Sequence, residues 1–379
     1  MIRVLVVGDF MRGSGLTRYL VDTFSHLDPA KYQIDVLKYG GKTDMDAQLR
    51  ALGWHIYAVT PITSNPLRYW LQWRRFLKQQ GHVYQVIHFN YSAAWNYLPI
   101  KWASQLTKAR IVVHSHNSYF GNVSSRKAVM QVLLALHQHG KKVIARHADL
   151  MFATSTAAAK WLFPPELLKK GQVVVLRNGV DLENFAYAPA VRAKLRQQEQ
   201  LTEHLVVGFT GVLLDRKNPL FAVDVFQQIH QQRPDAVLVM AGAGSLKPEL
   251  EKRVAAAGLT QSVRFLGVVS NMAEWYQAFD LFLFPSKAEG FGLVAVEAQA
   301  AGLPTFVSEA IPAEVVATPI CHQLPLAAGA EKWAQQILTN LPEARQSEVA
   351  TLTAKHFSIS ESAQTLDSYY NQLLGDQLG

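Results

Sequence analysis

Cysteine is almost missing from this sequence: among 379 residues, Cys321 is the single thiol. One thiol can neither close a disulfide framework nor build a thiolate metal cage, and such sparing use suits a reducing compartment. Acidic residues are scarce in the first half. Residues 1–187 hold 23 Lys+Arg against 10 Asp+Glu, a balance of +13, whereas residues 188–379 hold 14 against 19, a balance of −5, and the two sum to the net +8 of the chain. No run of about 18 apolar residues is present to span a bilayer, and the opening Met-Ile-Arg-Val-Leu-Val-Val-Gly is too short an apolar run for a secretory leader. These absences suit a cytoplasmic chain whose membrane contact, if any, is peripheral and on the inner face. No nucleic-acid-binding module accompanies the basic half, so its expected partner is anionic lipid or a phosphate-bearing acceptor, not nucleic acid.

What is present is globular. An apolar fraction of 49% with 17% charged residues excludes disorder, and the length suggests two domains. Apolar runs of strand length alternate with segments of helical period: strands are expected at 2–7, 33–38, 55–59, 83–88, 111–114, 150–153 and 173–176, then at 205–210, 237–240, 263–266, 281–284 and 305–307. That order predicts an α/β chain with two Rossmann-like, doubly wound parallel sheets, whose ligands bind beyond the carboxyl ends of the strands. The alternation pauses and the charge changes sign near Phe185-Ala-Tyr-Ala-Pro189, which divides the chain into domains 1–187 and 188–356. A last helix, 357–379, carries the apolar stripe Leu366, Tyr370 and Leu373.

Most of the chemistry is concentrated in Glu289-Gly290-Phe291-Gly292-Leu293-Val-Ala-Val-Glu297, between an apolar strand and a segment of helical composition closed by Gly302 and Pro304. Free N–H groups at a helix start favour an anion such as a phosphate, and glycines let it approach. Two carboxylates beside such an anion would be repelled by it, so they suit hydroxyl donors, as on a sugar or ribose. The plain alternative is a strand-to-helix joint with Glu289 solvated and Glu297 on the outer face of its helix. Arg216-Lys217 follows the first strand of the second half and would neutralise a diphosphate, or would be an ordinary solvated pair. Arg12-Gly-Ser14-Gly15 after the first strand offers backbone donors to a diphosphate, although a lone G-x-G is a weak signal. His114-Ser-His116-Asn117 puts two imidazoles on one strand face without a third metal ligand at supporting spacing. Asp44-Met-Asp46 precedes a short helical run, where helix capping explains it more simply than a metal. His137 and His139 are expected at the surface. Residues 66–80 mix aromatic and basic side chains at helical spacing, as an interfacial helix does, or as a helix buried against the sheet with its arginines snorkelling.

The stretch from Glu289 to Glu297, with Gly-Phe-Gly and Ala-Gly-Leu-Pro304, resembles the E-x7-E signature of the family-4 retaining glycosyltransferases, in particular the bacterial exopolysaccharide and capsule enzymes. The resemblance extends over nearly the whole chain. It implies a GT-B architecture: an acceptor-binding first domain and a nucleotide-sugar-binding second domain face each other across a cleft, and the last helix crosses back to the first. It further implies a hexosyl or N-acetylhexosaminyl transfer with retention, from a nucleotide-diphosphate sugar (UDP favoured) to a glycan or lipid-linked acceptor, with no metal ion and no cofactor. Glu289, Lys217 and His116 are the catalytic candidates. Ser14, Gly15, Arg216, Lys217, Val268, Glu289, Gly290, Phe291, Gly292, Leu293 and Glu297 are the candidates for donor binding, and Gly242-Ala-Gly244 and Gly267 line the base side. The family arginine is replaced by Val212, with Arg216 as the possible substitute. A nucleotide-sugar epimerase and a non-catalytic nucleotide- or sugar-binding protein are the competing readings.

Overall fold

The structure, a computed structural model, describes residues 1–120, 127–342 and 344–375. Contacts divide the chain into two compact units: Met1–Gly179 together with the segment from Ile359, and Val180–Ser358. The division falls ahead of the expected boundary at 187 because Leu182 and Phe185 are buried in the core of the second unit.

Among the described residues the first unit has a parallel sheet of seven strands: β1 (Ile2–Gly8), β2 (Tyr32–Lys38), β3 (His55–Ala58), β4 (Val86–Tyr91), β5 (Arg110–Ser115), β6 (Leu150–Ala153) and β7 (Val173–Val175), in the order β3-β2-β1-β4-β5-β6-β7. Val4 to Val7 of β1 are fully buried, as an unbroken apolar run covered on both faces should be. On one face lie the helices Gly15–Ser25 and Ile359–Gly375, whose Leu20, Phe24, Leu366 and Tyr370 share a core with Val4, Val6 and Phe152. The C-terminal helix is therefore part of the first unit. Each large side chain so buried contributes about 1.5–3 kcal/mol. The helices Pro66–Gln80, Leu98–Leu106 and Lys127–His147 share the other core, with Trp73, Ile100 and Ile144 in it.

The second unit has six parallel strands among the described residues: β8 (Leu205–Thr210), β9 (Ala236–Ala241), β10 (Val263–Gly267), β11 (Leu281–Phe284), β12 (Thr305–Ser308) and β13 (Cys321–Leu324), in the order β10-β9-β8-β11-β12-β13. The strand β13 was not expected from sequence. It is a short edge strand, Cys-His-Gln-Leu, paired only with β12 and lacking an apolar run. Chain order reverses between β1 and β4 and again between β8 and β11, so each unit has a switch point at the carboxyl ends of those strands, where a doubly wound sheet opens a crevice.

His137 is another correction. It is buried, with Nδ1 accepting from the Ala94 amide at 3.0 Å and its ring stacked on Trp161. Gly140 permits this: a Cβ there would lie 1.9 Å from the Ala94 carbonyl oxygen, so helix and loop approach at backbone distance. His139 is exposed as expected.

Candidate active site

Two turns build the site at the β8/β11 switch point. After β8 the chain makes a short 3-10 turn, Asp215–Lys217, and Asn218 takes the left-handed conformation (φ 54°) that starts the helix Pro219–Gln232. After β11 it passes through Glu289 to Gly292 (φ 101°), which caps the helix Leu293–Ala300 in a conformation that favours glycine. Lys287 N–H donates to the Arg216 carbonyl at 2.8 Å and joins the two turns.

On that frame Lys217 Nζ donates to Glu289 Oε1 at 2.6 Å, and Arg216 Nη1 reaches the same oxygen at 3.2 Å. Lys217 also lies over the Phe284 ring at 4.6 Å. Burial pushes the Lys217 ammonium below its ordinary pKa of 10.5 and Arg216 adds to this, while Glu289 and, more weakly, Glu297 oppose them. Both carboxylates are buried, Glu289 7% and Glu297 1% exposed, so neither is a solvated surface acid. The result is a preorganised patch: two cations on one carboxylate at a glycine turn, with a second carboxylate, Glu297, buried in the helix that follows.

The remaining second-unit candidates divide. Gly290 and Gly292 are buried turn residues. The ring of Phe291 is buried in the core of the second unit, near Phe357. Leu293 packs partly against the same core. Val268 is 67% exposed just after β10. Gly242 and Gly244 are more than turns. Their positions leave no room for a Cβ, which at 242 would lie 1.9 Å from Gly211 O and at 244 would lie 2.3 Å from Leu213 O.

In the first unit, Ser14 caps the helix Gly15–Ser25 by accepting from Thr17 N–H, and Thr17 Oγ1 in turn accepts from Met11 N–H at 2.8 Å. Gly15 is exposed, with open space about it. Asp44 does not cap a helix as expected. It accepts from Arg12 N–H at 2.9 Å and tethers this loop, while Asp46 pairs with Lys38. The two acids serve different neighbours. Among the described residues no group of three or more His, Cys, Asp or Glu is placed to hold a metal ion.

His114 and His116 lie at the end of β5 with ring centroids 4.1 Å apart, beside Tyr19 and His88. His114 is the more deeply buried, as expected. Burial holds both rings well below the ordinary imidazole pKa of 6.5, and His88 down to about 3. His88 Nδ1 lies 2.6 Å from Tyr370 Oη, linking the sheet to the C-terminal helix. Sequence reasoning missed His88, Asn90 and Tyr19, whose partners Tyr370, His116 and His114 lie far along the chain.

Two parallel sheets with helices on both faces and turns at their carboxyl edges define a protein of two Rossmann-like α/β units. Comparison makes this specific. Residues 13–184 match the model for "Glycosyltransferase Family 4" and residues 204–342 that for "Glycosyl transferases group 1", and the chain belongs to the family-4 glycosyltransferases. It is 27% identical to EpsF of Bacillus subtilis (strain 168), a glycosyltransferase by its name, over 97% of this chain and 96% of that one. It is also 27% identical to the lipopolysaccharide core mannosyltransferase LpsB of Rhizobium meliloti (strain 1021), over 63% of this chain and 70% of LpsB. The fold matches Anabaena HepE, solved with UDP and glucose (TM-score 0.71, 20% identity, 100% of this chain and 99% of HepE). It also matches the sucrose-phosphate synthase of Thermosynechococcus elongatus (TM-score 0.77, 19% identity, 99% and 100%). The architecture is GT-B.

Proposed function

We propose that this glycosyltransferase moves a hexosyl or N-acetylhexosaminyl group from a UDP-sugar to a glycan or lipid-linked acceptor in polysaccharide biosynthesis, with retention and without a metal ion. The observation that carries the reading is the convergence of Lys217 and Arg216 on Glu289 at the carboxyl edge of β8 and β11. Fixed cations where a diphosphate leaves stabilise its growing charge, typically by about 3 kcal/mol per group. In this mechanism the bond from the anomeric carbon to the diphosphate oxygen breaks, the bond to the acceptor oxygen forms on the same face, and the acceptor proton passes to the leaving phosphate. Glu289 holds hydroxyls of the reacting sugar, Glu297 holds the ribose, and His116 makes a polar contact with the sugar. UDP is favoured because HepE was solved with it.

The reading includes peripheral attachment to an anionic membrane face. Residues 47–148 contain 13 Lys+Arg and no Asp or Glu, and the helix Pro66–Gln80 exposes Leu67 and Leu71 beside Arg68, Arg74, Arg75 and Lys78. No helix among the described residues is long and apolar enough to cross a membrane.

The test is acceptor-dependent release of UDP, with and without EDTA. Activity that survives chelation is expected; loss restored by magnesium or manganese would overturn the metal-free mechanism. Conversion of the nucleotide-sugar without acceptor would indicate an epimerase, and binding without turnover a sensor.

A further inference from the structure

Asp9 and Tyr39 directly follow β1 and β2, at the carboxyl edge of the first unit's sheet and beside its switch point. Both are half-buried. The backbone of Asp9 is held by Thr17 Oγ1, which donates to its carbonyl at 3.0 Å. Its carboxylate fills the space over Gly40, where a Cβ would lie 1.8 Å from Oδ1. Among the described residues that carboxylate forms no hydrogen bond and no ion pair, and Lys38 is committed to Asp46 and to the Lys42 carbonyl. Burial first and Asp44 next push the Asp9 carboxyl above its ordinary 3.8, while Lys42 and Lys38 oppose them. Tyr39 stands edge-on to Tyr91 with ring centroids 6.1 Å apart, and its Oη donates to the Asn90 carbonyl at 3.3 Å. The Asp9 charge adds to burial in raising the Tyr39 phenol, as it does only when the two are neighbours.

A carboxylate that is fixed, partly desolvated and without a donor gains from an O–H or N–H brought to it, and it repels the hydrogen-free oxygens of a phosphate. The charges around it cancel, Asp44 and Asp46 against Lys38 and Lys42, so the surroundings add no preference for an ion. The Tyr39 ring adds an apolar wall. Hydroxyls beside a C–H face are what a neutral sugar carries. We propose that Asp9 and Tyr39 form a subsite on the first unit for a neutral sugar of the acceptor: the Asp9 carboxylate accepts its hydroxyls, and the Tyr39 ring packs against its C–H face. The inference rests on the glycan acceptor of the proposed function and narrows it, since a phosphate at this point is disfavoured. Gly40 belongs to the subsite because any side chain there would push the carboxylate aside.

Saturation-transfer NMR on the full-length protein, with no donor present, tests this with the methyl glycosides of glucose, galactose and N-acetylglucosamine and with glucose 6-phosphate. At least one methyl glycoside should bind, and glucose 6-phosphate should bind about tenfold more weakly or not at all. Asp9→Ala and Gly40→Ala should each weaken the glycoside about tenfold or more, the scale of a lost hydrogen bond to a charged group. Asp9→Asn should bring the glycoside and the phosphate closer together. Gly40→Ala keeps the carboxylate but displaces it, and what its Cβ meets is the end of a side chain, so the fold survives; melting curves check this. A wild type that binds no methyl glycoside, or binds glucose 6-phosphate as tightly, would overturn the subsite, as would folded variants that bind like the wild type. UDP-glucose separates the two sources of a sugar: it should leave the glycoside bound, and competitive displacement would give the subsite to the donor and overturn its assignment to the acceptor. Protein that binds glycosides through Asp9 yet shows no acceptor-dependent UDP release would instead count against the proposed transferase.

Discussion

At the scale of single residues, the decisive contact is Lys217 with Glu289. Burial works against the Lys217 charge and the carboxylate holds it in place, so the two should fail together. Glu289→Gln should lower kcat by about 100-fold or more, the size expected when an interaction strengthened in the transition state is lost. Glu297→Ala should mainly raise the donor KM, because an interaction made equally in ground and transition states adds uniform binding. The pH sign follows from the group. In the proposed mechanism Lys217 acts as the cation, so wild-type activity should be present below its folded pKa and be lost as pH rises through it, earlier than the 10.5 of free lysine. Glu289→Gln should move that limb further down. Steady-state kinetics across pH, with melting curves to exclude unfolding, decide the matter; near-normal kcat in a folded Glu289→Gln would remove this carboxylate from the reacting centre. The sequence singled out Glu289, Glu297, Lys217 and Arg216, and the structure brings Lys217 and Arg216 onto Glu289 and buries Glu297 in the helix that follows. The sequence was silent on Asn90 and Tyr19, because their partners are 26 and 95 residues away and no local pattern encodes such a contact.

At the scale of elements, strands were legible because both sheets are covered on two faces and their inner strands are largely apolar runs, β4 with His88 and Asn90 being the exception. Edge strand β13 was not, since half-exposed polar residues carry no such run. The same limit hid His137, whose burial depends on a glycine contact across the helix. The turn glycines make a further expectation. At Gly242 (φ 136°) a Cβ would collide with the Gly211 backbone, which has no freedom to retreat. Gly242→Ala should therefore destabilise the second unit by about 3 kcal/mol or more, combining backbone strain with displacement of the 211 loop. Gly13→Ala should cost about 1 kcal/mol, since its left-handed φ is strained but open space surrounds it. Denaturation midpoints of the two variants test the contrast; equal losses would show that the strand-end stack is looser than this geometry.

The sheet of the first unit carries its own titration. His88, His114 and His116 are buried neutral, each with a pKa depressed below 6.5, and in the unfolded chain each would bind a proton below that value. The unfolded state then holds more protons, so stability rises with pH up to about 6.5 and is lost as pH falls below it. The slope is about 1.4 kcal/mol per pH unit for each such proton. Between pH 5 and 6.5, where most carboxylates are still ionised, the unfolding of this unit should take up more than one proton. Denaturant midpoints measured across that window give the number directly, and a slope of one proton or fewer would mean that water reaches these rings.

At the scale of the whole molecule, the charge is divided, with the acid-free stretch 47–148 supplying a net +13 from its 13 Lys+Arg. Exposed Leu67 and Leu71 lie among four cations of the helix Pro66–Gln80, whose inner face, Tyr69, Trp73 and Leu77, is already committed to the core. The outer apolar pair is thus not needed for folding, and a bilayer interface would take it together with the surrounding charge. Each basic side chain near an anionic leaflet contributes about 1 kcal/mol, screened over roughly 10 Å at 0.1 M salt. The full-length protein should sediment with phosphatidylglycerol vesicles at low salt, weaken as salt rises through about 0.3 M, and ignore phosphatidylcholine. Arg74→Glu with Arg75→Glu should remove the salt-sensitive part, and Leu67→Ser with Leu71→Ser the part that persists at high salt. Because all four side chains are exposed, transfer to a soluble acceptor should survive in both double variants. Protein that stays in the supernatant at low salt, or double variants that sediment like the wild type, would show that this face meets something other than lipid.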